Sequence, residues 1–242
     1  MFDACVFDLY GTLVQIHTDE GAPHVWQAMA RHYCAQGAQW TGEQLKARYF
    51  ALIAQMEAAT GAAHPEIRIE EVFAALFEEK GVRAEAGMAL HAARRLRALS
   101  TEALSLYPGA WELLDSLRAA GKRVILLSNA QRAFTQGELE LLSLDRRFEA
   151  IFLSSDYGVK KPDPRFFEIM IKMTGIDPGR AVMIGNDARC DILAAKACGM
   201  AGVYMHSDCS PKEEAPVCAL ALEQVDLARV KEFLLFSKKD RE

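Results

Sequence analysis

The second half of the chain alternates between short apolar runs and longer amphipathic runs. Alternating strands and helices imply parallel strands joined by right-handed crossovers. Continuous apolar strands also imply burial on both faces of the sheet. We therefore expect an α/β fold with a Rossmann-like parallel sheet between layers of helices. The predicted strands after the first cover residues 123–128, 150–153, 181–184 and 201–205, and a closing helix runs from about 222 to 235.

A helical unit interrupts this alternation early in the chain. Residues 15–21 are polar and too irregular for a strand, which is typical of a hinge. Beyond them Ala, Glu, Gln, Leu and Arg predominate, all good helix formers. Pro23 suits a first helical turn, and Thr41 and Gln44 have the spacing of a capping box.

The position of the helical unit predicts two domains. Because it follows the first strand directly, we expect it to lie as a lid over the carboxyl end of that strand. The predicted catalytic core comprises residues 1–15 and 101–242, and the predicted all-helical cap comprises residues 16–100. Trp26 and Tyr49 are expected to pack inside the cap, because aromatic residues on helices usually pack.

Asp8 is the first candidate functional residue. It follows the apolar run at 4–7, a predicted buried strand, and Gly11 after it permits a sharp turn. Open α/β folds collect ligands at the carboxyl ends of their strands. Asp8 is therefore placed as a nucleophile, although Asp and Gly are also ordinary loop residues.

Further polar residues follow the later predicted strands. Taken singly, they suit structural roles such as helix capping or a surface lysine. Parallel strands, however, deliver their carboxyl ends to one edge, where these side chains can meet in one crevice. The residues are Ser128 and Asn129, then Lys161, then Asn186, Asp187 and Asp191.

Together these residues resemble the motifs of the haloacid dehalogenase superfamily of hydrolases. The first motif matches Asp8-Leu9-Tyr10-Gly11-Thr12, the second Ser128, the third Lys161, and the fourth Asp187 and Asp191 after Gly185. The resemblance spans the whole chain, and the helical insert corresponds to the C1-type helical cap of some members. It implies a Rossmann-like core under a cap.

The resemblance also implies roles for these residues. Asp8 would be the nucleophile and form a covalent aspartyl intermediate, as in aspartyl-phosphate enzymes, with Tyr10 and Lys161 as further catalytic residues. Substrate binding would fall to Thr12, Ser128, Asn129 and Lys161. Magnesium would be held by Asp8, Asp187, Asp191 and the backbone carbonyl of Tyr10, with Asn186 either an extra ligand or a turn residue.

Tyr10 departs from the usual phosphatase pattern. Most phosphatases of the superfamily have a second Asp at this position, which acts as general acid and base. The metal-free 2-haloacid dehalogenases have a Tyr there. A phenol with a reference pKa of about 10 is a poor general base at neutral pH. Tyr10 therefore favours carbon–halogen hydrolysis, or a slow phosphatase.

The fourth motif favours a metal. If Asp8, Asp187 and Asp191 converge on Lys161 alone, about two negative charges lack a counterion, and a phosphate adds roughly two more. Like charges a few Å apart repel by several kcal/mol even at an effective dielectric of about 20. Carboxylate oxygens beside a phosphate are the usual setting of Mg²⁺.

Two further hypotheses stay open beside a Mg²⁺-dependent phosphatase of a small soluble phosphate ester. One is a metal-independent 2-haloacid dehalogenase with Asp8 as nucleophile. The dehalogenases place an Arg against the substrate carboxylate. No residue of the helical insert stands out for that role, although Arg31, Arg48 and Arg68 stay open. The other is a catalytically weak protein that binds phosphorylated ligands.

Composition limits the partners and the compartment. The formal net charge is −5 with no long basic run, so we expect binding neither to nucleic acid nor to membranes, and the charges at 238–241 read as a solvated tail. The six cysteines have no metal-ligand spacing, and we expect them reduced. Because the sequence has no leader and no apolar run long enough to span a membrane, we expect a cytoplasmic protein. The sequence does not determine its oligomeric state.

Overall fold

A computed structural model of the chain describes residues 2–212 and 215–236. The charged tail at 238–241 lies outside the described residues. The strands are β1 Ala4–Phe7, β2 Val14–Thr18, β3 Thr101–Leu106, β4 Arg123–Ser128, β5 Ala150–Leu153, β6 Ala181–Gly185, β7 Ala201–Met205 and β8 Leu220–Leu222. The helices are α1 Pro23–Ala35, α2 Gly42–Ala59, α3 Ile69–Glu78, α4 Ala86–Ser100, α5 Ala110–Ala119, α6 Arg132–Leu141, α7 Pro164–Thr174, α8 Ala194–Ala197 and α9 Leu227–Leu235.

The main sheet has six strands in the order β5-β4-β1-β6-β7-β8, and every paired neighbour runs parallel. This confirms the predicted α/β class and the Rossmann-like parallel core. β1 lies at the centre, with all four of its residues buried. The register of β1 against β4 and β6 aligns Phe7 with Leu126 and Ile184, so Asp8 leaves the sheet beside the ends of both neighbours.

The helical insert has its own apolar core. Val25, Met29, Phe73, Leu76 and Phe77 are fully buried within it. Trp26 and Tyr49 are 2% and 1% exposed with ring centroids 5.0 Å apart, which confirms them as packing residues. Pro23 begins α1, and Thr41 and Gln44 form the predicted capping box.

The prediction of an irregular hinge at 15–21 is wrong. Residues Val14–Thr18 form β2, which pairs antiparallel with β3, a strand that we did not predict. Outward-facing polar residues alternate with inward-facing apolar ones in β2, which is the pattern of a half-exposed strand. Two strands therefore carry the chain into and out of the insert. The domain boundaries at residues 16 and 100 remain a prediction.

The closing helix begins later than predicted. Its start was expected near residue 222, but Leu220–Leu222 forms the edge strand β8. Asp226 then caps α9, accepting a hydrogen bond from the backbone N–H of Arg229. All six cysteines carry free thiols. Among the described residues, no helix has the length and apolarity needed to span a bilayer.

Candidate active site

The structure brings four of the predicted residues into contact. The Ser128 hydroxyl donates to Oδ1 of Asp8 at 3.0 Å. The ammonium of Lys161 donates to the same oxygen at 2.7 Å and to Oδ1 of Asp191 at 2.6 Å. We call Asp8, Ser128, Lys161 and Asp191 the Asp8 cluster. Asp8 follows β1 and Ser128 ends β4, while Lys161 and Asp191 lie in the segments after β5 and β6. The parallel sheet therefore brings all four to the same edge.

Lys161 is the electrostatic centre of this cluster. It is 3% exposed and its third hydrogen bond goes to the carbonyl of Leu127 at 2.9 Å. Burial by itself favours the neutral amine, but Asp191 and Asp8 outweigh it and raise the pKa of Lys161 above its usual value. The side chain therefore stays cationic well above neutral pH.

The two acids of the fourth motif have different partners. Asp191 is 1% exposed, and its Oδ2 accepts the backbone N–H of Asp187 at 3.0 Å. Burial raises the pKa of Asp191 to about 6, although Lys161 opposes the shift. Asp187 instead caps the π-helical turn at Ala188–Leu193, where its Oδ1 accepts two backbone N–H groups. The cap uses Oδ1 of Asp187, so the same side chain can cap the turn and still line the site.

Two predicted substrate-binding residues contact protein groups. Asn129 exchanges two hydrogen bonds of 2.8 Å with the backbone of Lys161, and so fixes the loop that carries the ammonium. The Thr12 hydroxyl is fully buried and donates to Oδ1 of Asn186 at 3.3 Å. Their roles towards a substrate remain a prediction.

Gly11 and Gly185 allow the site loops to approach each other. Gly11 has φ +78°, and a Cβ there would lie 2.5 Å from Nδ2 of Asn186. A Cβ on Gly185 would overlap the carboxylate of Asp191. Glycine at both positions is therefore a steric requirement of this packing.

Gly185→Ala is expected to destabilise the protein by about 1–3 kcal/mol, the usual range for overpacking a tight site. Activity should fall as well, because the added methyl group displaces Asp191 from Lys161. Gly87→Ala is the matched control, since a Cβ on Gly87 meets no atom within 4 Å. Urea unfolding of both variants gives the comparison, and equal stabilities would contradict the expectation.

A cavity of about 230 Å³ opens beside the cluster, and we call it the Asp8 cavity. Asp8, Asp187 and Asp191 line it, with Lys161 as the lining cation. Three carboxylates and one ammonium leave a surplus of two negative charges there. Oδ2 of Asp8 has no hydrogen-bond partner within the part of the chain that the structure describes.

The donor set of the Asp8 cavity fits Mg²⁺. No cluster of three or more His, Cys, Asp and Glu side chains with metal-site geometry occurs within residues 2–212 and 215–236. Magnesium does not need one, because it takes one or two carboxylates and completes its shell with other oxygens and water. Asp8 and Asp187 line one cavity and the surplus charge there favours a cation. Asp191 is already engaged with Lys161.

Tyr10 is held by a network that sequence reasoning missed. Its hydroxyl donates to Oε2 of Glu138 and lies 2.9 Å from Oγ1 of Thr135. Glu138 also accepts from Nε of Arg97 at 2.5 Å, in an ion pair whose side chains are 10% and 15% exposed. Burial, followed by the charge of Glu138, raises the pKa of Tyr10. The phenol therefore stays protonated.

Arg97 is the cap arginine beside this site. It lies four residues after the buried Ala93 on α4, and this spacing could have indicated its inward position. Arg48 and Arg68 pair with Glu79 and Glu70, and Arg31 is exposed. None of these three lines the described cavities next to Tyr10.

A second cavity of about 660 Å³ lies between cap and core, and we call it the cap cavity. Tyr10, Asn129 and Lys161 line both cavities, so the two adjoin. The cap contributes Arg97 and Glu57 to its wall. The helical insert thus covers the strand end that carries Asp8, and a molecule at Asp8 would extend into this space.

Comparison with known proteins decides the family. The profile of the haloacid dehalogenase-like hydrolase family matches residues 2–199, which include the entire Asp8 cluster. The chain is a haloacid dehalogenase-like hydrolase. This confirms the superfamily that the sequence motifs resemble, and it makes the protein a hydrolase.

Relatives of this hydrolase include two kinds of enzyme. It is 28% identical to (S)-2-haloacid dehalogenase 4A of Burkholderia cepacia over 76% of this chain and 75% of the relative. It is 34% identical to phosphoglycolate phosphatase 1 of Pseudomonas aeruginosa, over 48% of this chain but only 43% of that relative. The chain thus spans less than half of that phosphatase.

Solved structures agree on the fold of this hydrolase. A HAD phosphatase from Thermococcus onnurineus superimposes with a TM-score of 0.61 at 19% identity, covering 96% of this chain and 98% of that one. A dehalogenase with an intermediate complex gives 0.60 at 24% identity, covering 98% of both chains. Likeness at these identities supports the architecture and leaves the substrate open.

Proposed function

We propose that this hydrolase is a Mg²⁺-dependent phosphatase of a small soluble phosphorylated molecule. The observation that carries the proposal is the charge of the Asp8 cavity, which Asp8, Asp187 and Asp191 line together with the single ammonium of Lys161. Such a surplus of negative charge repels an anionic substrate unless a cation is present. The similarity to phosphoglycolate phosphatases supports the same conclusion.

In this proposal Asp8 attacks phosphorus through Oδ2, the oxygen without a protein partner. Ser128 and Lys161 hold the other oxygen, so the carboxylate cannot rotate away. The attack forms an aspartyl phosphate, which water then hydrolyses. Lys161 keeps its charge because its pKa is raised, and it offsets negative charge on the reacting group.

Asp8, Asp187 and the backbone carbonyl of Tyr10 would hold magnesium. When bound, the ion supplies positive charge that neutralises the phosphate and polarises its oxygens. Asp191 is left out of this ligand set, because it is 1% exposed and its carboxylate holds both Lys161 and the backbone N–H of Asp187. Asp191 instead positions Lys161.

Phosphate release from p-nitrophenyl phosphate tests the proposal. We expect turnover with Mg²⁺, loss of turnover on adding EDTA, and recovery when excess Mg²⁺ is restored. The removal of EDTA by gel filtration without added Mg²⁺ is the control for direct inhibition by the chelator. Turnover that is indifferent to EDTA would contradict the metal requirement.

The second candidate is a metal-independent 2-haloacid dehalogenase. It is favoured by Tyr10, whose fixed hydroxyl offers no acid for an ester leaving group, and by the Burkholderia relative. Asp8 would then attack carbon and expel halide. Chloride release from 2-chloropropionate in the presence of EDTA would establish this function in place of ours. Binding of phosphorylated ligands without either product would instead indicate a non-catalytic protein.

A cytoplasmic location remains a prediction.

A further inference from the structure

The hydroxyl of Tyr10 is directed at Glu138 and Thr135. The phenol has one proton, and it lies in the hydrogen bond to the Glu138 carboxylate. Arg97 neutralises that carboxylate and fixes its position from the cap. Tyr10 lines the Asp8 cavity, but its only proton lies in a bond to another residue. It is therefore not placed to protonate a leaving group beside Asp8.

Three other polar side chains that line the Asp8 cavity, Ser128, Asn186 and Lys161, are also engaged with protein groups. Ser128 donates to Asp8, and Asn186 bonds to Thr12 and Ser207. Lys161 donates to two carboxylates and one carbonyl. None of these groups is a strong proton donor aimed into the cavity.

We propose that the substrate is an activated phosphate whose leaving group departs as a stable anion, a carboxylate or a phenolate, without a proton from the protein. This inference rests on the phosphatase function proposed above and names its substrate class. Acyl phosphates, which are mixed anhydrides of a carboxylic acid and phosphoric acid, come first in this class, and aryl phosphates second.

The basicity of the leaving group explains the choice. A carboxylic acid has a pKa of about 4 and a phenol about 10, whereas water, which resembles an aliphatic alcohol in basicity, has about 16. A carboxylate therefore leaves without protonation at neutral pH, and an alkoxide does not. Positioned general acids contribute about 10²–10⁴-fold, which is the disadvantage expected here for alkyl phosphates.

The reaction balances without an acid. Oδ2 of Asp8 forms a bond to phosphorus, and the bond from phosphorus to the leaving oxygen breaks. The electron pair stays on that oxygen, which departs as carboxylate or phenolate. Water then attacks phosphorus, the bond to Asp8 breaks, and both protons of the water leave on the dihydrogen phosphate product. Asp8 is restored as a carboxylate.

The wall of the cap cavity suits the body of such a leaving group. Its larger apolar residues are Ile16, Ile53, Ile67, Ile69, Phe134 and Pro162. A space of about 660 Å³ next to Tyr10 and Lys161 accommodates an aryl or acyl group on the far side of the scissile bond. Glu57, His64, Glu66 and Lys160 line this cavity and not the Asp8 cavity. They therefore lie beside the body of the leaving group, and we assign them no part in protonating the oxygen next to Asp8.

The test is kcat/KM for acetyl, benzoyl, phenyl and ethyl phosphate with Mg²⁺, each corrected for the rate of Asp8→Asn. We expect a steep decline as the leaving group becomes more basic, with ethyl phosphate about 10²–10⁴-fold below the acyl phosphates. Equal rates across the series would overturn the inference while leaving a phosphatase. Absence of phosphate from every substrate would remove the phosphatase function and this inference with it.

Two variants of Tyr10 sharpen the test. Tyr10→Phe removes the hydroxyl and should leave the ratio of acetyl to phenyl phosphate rates within about twofold of the original, since a group that donates no proton supplies none of the factor of about 10²–10⁴. Tyr10→Asp places a carboxyl group there and should narrow the gap between ethyl and acetyl phosphate. A wider acetyl-to-phenyl ratio in Tyr10→Phe would identify Tyr10 as the acid and overturn the inference.

Discussion

Replacing Asp8 with Asn is expected to abolish hydrolysis of every substrate that the protein turns over, by about 10⁴-fold or more, as for other catalytic nucleophiles and their partners. The amide has the size of the carboxylate but is not a nucleophile at neutral pH. Oδ1 of Asp8 accepts from Ser128 and Lys161, and the amide oxygen can keep those bonds. The loss should therefore be one of chemistry and not of folding.

Asp3→Asn is the matched control for Asp8→Asn. Asp3 lies one residue before β1, and it pairs with Arg180 at the surface, where its side chain is 55% exposed. Surface ion pairs contribute at most about 1 kcal/mol, so this variant should keep both activity and fold. Circular dichroism and urea unfolding check that both variants keep the fold. Residual activity above about a hundredth in Asp8→Asn would place the nucleophile elsewhere.

The parallel sheet made much of the site predictable. Alternating apolar and amphipathic runs predicted strands whose carboxyl ends share an edge, and Asp8, Ser128, Lys161 and Asp191 do meet there. The prediction needed no side-chain detail, because each residue ends a strand, directly follows one, or lies in the segment after it. Once the strands are predicted, the sequence alone shows which residues lie at their ends.

The network around Tyr10 was not predictable in the same way. Arg97 and Glu138 lie inside helices, 41 residues apart along the chain, and nothing in their spacing indicates that they pair. Each stands at the edge of an apolar stripe, which predicts burial but names no partner. The strand β2 was missed because Gln15 and His17 alternate with the apolar Val14 and Ile16 over too short a run.

Replacing Lys161 with Met is expected to destabilise the protein by about 3–5 kcal/mol, the cost of breaking a buried ion pair on one side. Asp8 and Asp191 would lose the cation that both contact within 2.7 Å. In the original chain the raised pKa of Lys161 means that its contribution is complete below its ordinary pKa of about 10.4 and is lost only as pH rises further. Urea unfolding at neutral pH measures the loss.

The neighbouring residue provides the control. Lys160 has a side chain that is 30% exposed and lies 3.8 Å from Glu57, so Lys160→Met should change stability by at most about 1 kcal/mol. A second replacement in the Lys161→Met background, Asp191→Asn, removes one of the two unpaired carboxylates and should restore part of the lost stability.

Lowering the pH should also reduce the stability that Lys161→Met loses. Without the ammonium, which opposes the shift, burial and the charge of Asp8 raise the pKa of Asp191 further above its unfolded value of about 4, so the folded state takes up a proton as pH falls. The difference in unfolding free energy between the original and Lys161→Met should therefore be smaller at pH 5 than at pH 8. If it is the same at both pH values and Asp191→Asn restores nothing, then Lys161 does not balance these two carboxylates. The magnesium proposal would then lose its basis, because the surplus of negative charge in the Asp8 cavity would no longer be supported.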